Sequence, residues 1–125
     1  MTRTVRLLLL ALPLLIGCER GEDAADVAAT LTAGHPERGK AAIRKYGCGS
    51  CHTIPGVRGA NALVGPPLTD IAERAFIGGV LPNTPDNLVR WIENPQAIDE
   101  KTAMPYLGVT QPDARDIAAY LYTLR

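Results

Sequence analysis

Apolar residues recur at the period of a helix in several segments of the chain after residue 35. The clearest stripe lies at the C-terminus and repeats at i, i+3, i+4 and i+7: Ile117, Tyr120, Leu121 and Leu124. Thr110 stands before this stripe as a candidate N-cap, and Asp113 follows three residues later, in the position of a capping box. The pattern predicts a C-terminal amphipathic helix.

Three more helices are predicted upstream, over residues 36–46, residues 69–76, and a middle segment that begins near Thr84 and ends before Pro95. The inner face of the middle helix is formed by Leu88, Trp91 and Ile92. Loops rich in Gly and Pro join these segments, and no stretch alternates convincingly with a period of two. Residues 35–125 are therefore expected to form one all-α domain.

The N-terminus has the features of an export signal. Arg3 and Arg6 precede an apolar run over residues 7–16, which is shorter than the roughly 20 residues that a membrane-spanning helix needs. The run ends in Leu-Ile-Gly-Cys18 and resembles the bacterial lipoprotein cleavage box. This resemblance implies a signal peptide over residues 1–17 and a lipid on Cys18, although Cys18 could also be incidental beside an ordinary signal-peptidase site.

Residues 18–34 are rich in Ala, Thr and acidic side chains, and Val27 and Leu31 are their only larger apolar residues. A helix over residues 24–31 would have almost no apolar stripe. This segment is expected to be a flexible acidic linker between the lipid and the domain.

The chemistry of the chain is concentrated in Cys48-Gly-Ser-Cys51-His52. Two thiols at this spacing can add to the two vinyl groups of haem, and the adjacent imidazole can bind the iron, so the motif predicts a c-type haem. A thioredoxin-like pair is disfavoured because a helix, and no strand, precedes the motif. A zinc site is disfavoured because His35 is the only further ligand and no second cysteine pair exists.

Composition agrees with this interpretation. The chain has three cysteines, so haem and lipid would together use every thiol. Aromatic residues are few, and a large apolar cofactor would add substantially to so small a core. The formal net charge is zero, so strong electrostatic steering of a partner is not expected.

The iron would still have one open axial position, and the candidates to fill it are Met104, His35, a water molecule or an amine. Met104 lies in a loop between two predicted helices and precedes Pro105, which fixes the backbone. A thioether favours ferrous iron and raises the reduction potential. Met104 is the preferred sixth ligand, and a methionine that simply fills the core is the plainer alternative.

The order of these features resembles that of the class I monohaem cytochromes c over residues 36–125. The shared features are Gly39, the haem motif, Gly65-Pro66, Trp91, Met104-Pro105 and a final aromatic helix. The resemblance implies an all-α fold in which the N- and C-terminal helices pack crosswise around a covalently bound haem. It also implies that Gly39 allows an aromatic residue of the last helix to pack closely; Tyr120 is the first candidate for that residue and Tyr122 the second.

The resemblance further implies roles for individual residues. His52 and Met104 would be the axial ligands, and the Pro66 carbonyl would orient the His52 ring. Arg74 and Trp91 would bind a haem propionate. The plainer alternatives are a solvated helix charge for Arg74 and core packing for Trp91.

The implied function is that of a one-electron carrier between membrane respiratory complexes, with no enzymatic activity, nucleic-acid partner or small-molecule substrate of its own. Residues 77–86 resemble the cytochrome c domains of bacterial haem–copper oxidases, so a haem c subunit of a terminal oxidase or dehydrogenase is an alternative. An open-site haem sensor and a zinc-stabilised lipoprotein are two others. The expected location is outside the cytoplasm, anchored through Cys18 to a membrane that faces the periplasm or the cell exterior.

Overall fold

The structure, a computed structural model, describes residues 20–125, with side chains from residue 24 onward. The expected signal peptide over residues 1–17 and the expected lipidation site Cys18 lie outside the described residues. Four α-helices dominate: α1 (Arg20–Thr32), α2 (Pro36–Lys45), α3 (Pro85–Glu93) and α4 (Gln111–Leu121). Three short 3-10 turns and one pair of two-residue strands complete the fold, so the all-α expectation is confirmed.

Helix α4 is the centre of the domain, because α1, α2 and α3 all pack on it. Its apolar stripe is buried as the sequence predicts, with Ile117 and Leu121 almost inaccessible to solvent. The predicted cap is also present, since the Thr110 side chain accepts a hydrogen bond from the Asp113 N–H at 3.4 Å. None of the helices in the described part of the chain is long and apolar enough to cross a bilayer.

Helices α2 and α4 approach each other most closely at Gly39. A Cβ atom at this position would lie 1.9 Å from the carbonyl oxygen of Asp116, which is far inside van der Waals contact. The expected role of Gly39 in close packing is therefore correct, but its nearest neighbour is the α4 backbone at Asp116. Tyr120 instead directs its hydroxyl to the Pro55 carbonyl, at 2.7 Å.

Asp116 ties the start of α2 to α4. Its buried carboxylate accepts hydrogen bonds from the His35 N–H at 2.7 Å and from the Arg38 guanidinium at 2.7 and 3.0 Å. Burial raises the pKa of this carboxyl, but the hydrogen bonds from Arg38 and His35 outweigh it and hold the pKa below its usual value. The carboxylate thus stays ionised and caps the N-terminus of α2.

Helix α1 corrects the expectation of a flexible linker over residues 18–34. Residues 20–32 form a helix that packs mainly on α4, and the residues that this helix buries are small, with Ala28 and Thr32 each 1% exposed. Arg115 of α4 donates to the Thr32 carbonyl at 3.2 Å and so satisfies a C-terminal carbonyl of α1. This helix has no stripe of large apolar residues, because its buried face is formed by Ala and Thr.

The helix predicted over residues 69–76 is wrong. The structure has a 3-10 turn at Ile71–Glu73, followed by an antiparallel strand pair, β1 (Phe76–Ile77) and β2 (Leu81–Pro82). Gly78 and Gly79 have φ values of 57° and 75°, a left-handed conformation that reverses the chain between the strands. Within residues 69–76 the backbone leaves helical geometry on both sides of the 3-10 turn, because Asp70 has a φ of 55° and Arg74 is extended.

Candidate functional site

Helix α2 places the cysteine motif at the edge of the core. The helix ends at Lys45, Gly47 turns the chain with a φ of 71°, and a 3-10 turn spans Cys48–Ser50. The backbone N–H groups of Cys51 and His52 both donate to the Cys48 carbonyl, at 3.2 and 3.0 Å. Both thiols are free, and burial raises the pKa of the Cys48 thiol.

The His52 ring is oriented by a backbone acceptor. Its Nδ1 lies 2.7 Å from the Pro66 carbonyl oxygen, and since a carbonyl can only accept, Nδ1 must carry the proton. In the neutral imidazole the other ring nitrogen, Nε2, is then the one with a free lone pair, which can bind a metal. Gly65 makes room for the ring, because a Cβ there would lie 2.4 Å from Cε1 of His52.

Backbone hydrogen bonds hold the Gly65–Leu68 loop against the motif. The Gly65 N–H donates to the Cys51 carbonyl at 2.7 Å, and the Leu68 N–H donates to the Thr53 carbonyl at 2.8 Å. The position of Pro66 beside His52 is therefore set by the fold on both sides of the proline.

A cavity of about 410 Å³ opens beside the motif. Its lining includes all the residues that were predicted to bind a cofactor: Cys48, Cys51, His52, Pro66, Arg74, Trp91 and Met104. Most of the remaining lining is aliphatic, including Ile43 of α2, Leu88 of α3 and Ile117 of α4. The cavity has the volume of a small-molecule site and an apolar interior with a few polar groups.

Met104 and His35 occupy different environments. Met104 is partly buried, packs against the core and lines the cavity, and its N–H donates to the Thr102 hydroxyl at 3.2 Å. His35 is exposed at the start of α2, and it is not part of the cavity lining. The structure therefore gives no support to His35 as an iron ligand.

Arg74 and Trp91 lie on the walls of the cavity. Arg74 follows the 3-10 turn at residues 71–73 in an extended conformation, and its guanidinium donates to the Thr69 carbonyl at 2.9 Å and to the Pro67 carbonyl. Trp91 is buried in α3, and its ring fills the space where a Cβ of Gly78 would lie. Arg74 is thus partly buried, lies outside any helix and is anchored to loop carbonyls, while Trp91 both packs in the core and faces the cavity.

The donor set fits an iron porphyrin. Two thiols, an imidazole with a free Nε2 and a thioether share one apolar cavity, and each of these groups is a normal partner of haem or its iron. Among the described residues, no three His, Cys, Asp or Glu side chains converge to hold a metal ion, so the zinc interpretation has no support there.

The sequence gives no sign that two residues, Asn83 and Tyr122, support the segment that carries Arg74. Tyr122 donates from its hydroxyl to Asn83 Oδ1 at 2.8 Å, and Asn83 in turn binds the carbonyl of Arg74. Asn83 stands in a Pro/Asn/Thr-rich loop, where an asparagine is typical of any turn, so the sequence carries no signal for this contact.

Comparison with known proteins decides the family. The family model described as cytochrome c matches residues 36–125, which is most of the chain. The chain belongs to the cytochrome c family. It is a class I monohaem member, which supports an electron-carrier role and a haem c joined covalently through Cys48 and Cys51.

Two relatives among the cytochromes are informative. Cytochrome c2 of Rhodopila globiformis is 37% identical over 105 residues, which cover 74% of this chain and 95% of that protein. Cytochrome c oxidase subunit 2 of Alkalihalophilus pseudofirmus is 33% identical over 89 residues, which cover 70% of this chain and 25% of the subunit. The chain thus spans a quarter of that subunit. No solved structure gives a significant match.

Proposed function

We propose that this cytochrome c is a one-electron carrier whose iron is held by His52 and Met104. The proposal is carried by one observation, namely that Nδ1 of His52 donates to the Pro66 carbonyl, which leaves Nε2 free at the wall of the cavity that Met104 also lines. Haem, when bound there, supplies the one-electron couple between ferrous and ferric iron. If His52 and Met104 both bind the iron, no position is left for a substrate, and substrate chemistry at the iron is not expected.

The residues around the cavity adapt the site to electron transfer. Cys48 and Cys51 anchor the ring, and Pro66 keeps the imidazole in one orientation and raises its basicity. The aliphatic lining excludes water and lowers the local dielectric constant, which disfavours the more highly charged ferric state. Arg74 provides a positive charge at the cavity wall, where it can compensate a propionate.

We further propose that the protein is exported and anchored by a lipid on Cys18, facing the periplasm or the cell exterior. The N-terminal signal pattern supports this assignment. Because α1 begins two residues after Cys18 and packs on α4, such an anchor would hold the haem domain close to the bilayer. Membrane-bound redox complexes, either an oxidase or a quinol- or substrate-oxidising dehydrogenase, would then be its partners.

A second candidate function is that of a haem c subunit within a terminal oxidase complex. The observation that favours it is the 33% identity to part of an oxidase subunit 2. Stoichiometric co-purification with a large membrane complex would support this alternative, whereas a protein released alone by mild detergent would support the free carrier.

The axial ligation is tested by absorption spectra of the haem-loaded protein, oxidised, reduced, and reduced under carbon monoxide. Ligation by His52 and Met104 predicts sharp reduced bands, a weak far-red sulfur–iron band in the oxidised state, and no change with carbon monoxide. Met104→Ala should abolish the far-red band and open the site to carbon monoxide. A wild-type protein that binds carbon monoxide readily would instead indicate an open-site sensor.

The anchor is tested separately. Cys18→Ser should move the protein from the membrane fraction to the soluble fraction, while the spectrum of the haem-loaded protein stays unchanged. A Cys18→Ser protein that remains in the membrane fraction would exclude lipid on Cys18 as the anchor.

A further inference from the structure

A chain of hydrogen bonds runs from the end of α4 to the cavity wall. It starts at Tyr122, which is buried and whose hydroxyl donates to Asn83 Oδ1 at 2.8 Å. The Asn83 amide then donates to the carbonyls of Ile71 and Arg74, both at 2.8 Å. Arg74 in turn donates from its guanidinium to the carbonyls of Pro67 and Thr69.

This series of hydrogen bonds ends beside His52. Pro67 is joined by a peptide bond to Pro66, whose carbonyl accepts the proton of His52 Nδ1 at 2.7 Å. The backbone from the proline loop to Arg74 is thus fastened at one end to His52 and at the other end, through Asn83, to Tyr122.

Asn83 is fully used by these contacts. Each of its two amide protons has a carbonyl acceptor, its Oδ1 accepts from Tyr122, and its backbone N–H donates to the Ala75 carbonyl at 2.9 Å. The side chain makes three of these hydrogen bonds, which join it to the 3-10 turn before Arg74 and to the end of α4, so it has one available orientation. Burial raises the pKa of Tyr122 to about 12, so its hydroxyl keeps its proton and donates throughout the physiological pH range.

We infer that Asn83 and Tyr122 are positioning residues that set the reduction potential by fixing Arg74 and the proline loop. This inference rests on the proposed haem site and deepens it. A cation held at the cavity wall favours the ferrous state, because that state carries one positive charge fewer. A guanidinium that is released to solvent exerts less of this effect, since water screens it.

The experiment is a double-mutant cycle on the haem-loaded protein, with the midpoint potential as the readout. Tyr122→Phe removes one hydroxyl and leaves the ring in place, Arg74→Gln removes the charge, and the double variant combines them. The net free energy of one hydrogen bond corresponds to a factor of about two to ten in an equilibrium constant. We therefore expect Tyr122→Phe to lower the ratio of reduced to oxidised protein at a fixed ambient potential by about two- to fivefold.

In the Arg74→Gln background the effect of Tyr122→Phe on the potential should vanish, because the charge that it positions is gone. Tyr120→Phe is the matched control. Tyr120 lies two residues before Tyr122 in α4, and its substitution removes a hydrogen bond of similar length, 2.7 Å to the Pro55 carbonyl, but its hydroxyl makes no hydrogen bond to Asn83 or Arg74. It should weaken the fold without an Arg74-dependent change in potential.

Two outcomes would overturn the inference: an unchanged potential in Tyr122→Phe, or an equal shift with and without Arg74. If Arg74→Gln does not retain haem, Asn83→Leu replaces it as the second test, since it removes both amide donors and should shift the potential in the same direction as Tyr122→Phe. Failure of the proposed axial ligation is seen separately, as carbon monoxide binding by the wild-type protein before any substitution.

Discussion

The contact between Asp116 and the start of α2 allows a quantitative prediction about stability. Asp116→Ala removes the acceptor of three hydrogen bonds, one from the His35 N–H and two from Arg38. The bond from the backbone to a buried carboxylate contributes about 1.5–3 kcal/mol, as expected for a hydrogen bond to a charged group. The Arg38 pair adds less, because 63% of the Arg38 side chain is exposed and water replaces the partner.

We therefore expect Asp116→Ala to lower the free energy of unfolding by about 2 kcal/mol. In a domain of this size that corresponds to a fall of roughly 8–16 °C in the melting temperature. The assay is denaturant unfolding of the haem-loaded protein, followed by the helical circular dichroism signal. The midpoint potential should not change, because Asp116 does not line the cavity.

Asp113→Ala is the control on the same helix. Asp113 also accepts two hydrogen bonds, from Lys45 at 2.8 Å and from Tyr46 at 2.6 Å, but its carboxylate is near the surface and water can replace both donors. Its loss should therefore destabilise the fold less than the loss of Asp116. An Asp116→Ala protein that is as stable as Asp113→Ala would show that the burial of the carboxylate does not matter and would refute the reasoning.

The same contact predicts a dependence on pH. The pKa of Asp116 is lower in the folded state than the value of about 3.9 in an unfolded chain, so the folded state binds fewer protons. The stabilisation is complete above that unfolded value and is lost as the pH falls through the folded pKa. The difference in unfolding free energy between wild type and Asp116→Ala should therefore be constant from pH 5 to 7 and shrink below about pH 4. A difference that persists undiminished at pH 2 would contradict this.

Three further variants test the packing of the site. Gly39→Ala should destabilise the protein despite the gain of about 1 kcal/mol in helix propensity, because its Cβ would lie 1.9 Å from the Asp116 carbonyl oxygen. Urea unfolding measures the sign of the change in the free energy of unfolding. Gly65→Ala should displace the His52 ring and weaken its hydrogen bond to the Pro66 carbonyl. The midpoint potential should then rise, since a less basic imidazole stabilises ferric iron less. A redox titration that gives the wild-type potential would exclude this effect of Gly65. Cys48→Ala/Cys51→Ala, made without haem, should lose most of its helical circular dichroism, because the apolar lining of the cavity would no longer be buried against the ring. Native-like helicity would show that the fold does not need the ring.

The sequence predicts those parts of the molecule whose signals are local. The haem motif is contiguous, the cap of α4 spans four residues, and the stripe of α4 repeats with a helical period, so each can be recognised without knowledge of the fold. Arg74, Trp91 and Met104 line the same cavity as the motif, but their roles toward a cofactor follow only from the resemblance.

Features that depend on close approach between distant segments leave little trace in the sequence. The sequence of α1 resembles that of a linker because the residues that this helix buries, Ala28 and Thr32, are small, while its larger apolar residues, Val27 and Leu31, are about half exposed. Small residues at a helix contact have no hydrophobic periodicity to detect. The hairpin after Arg74 leaves no signal in the sequence for a related reason, since its two-residue strands are too short for an alternating pattern.

The contacts divide the protein into a part that sets stability and a part that sets the potential. Asp116 and Gly39 hold α2 on α4 without lining the cavity, so their loss should change the free energy of unfolding alone. Asn83 and Tyr122 hold the loop that carries Arg74 and Pro66, so their loss should change both quantities. If Asp116→Ala also shifted the potential, the α2–α4 contact and the loop that carries Arg74 and Pro66 would be coupled through α4. The potential could then not be changed through that loop independently of the stability of the fold.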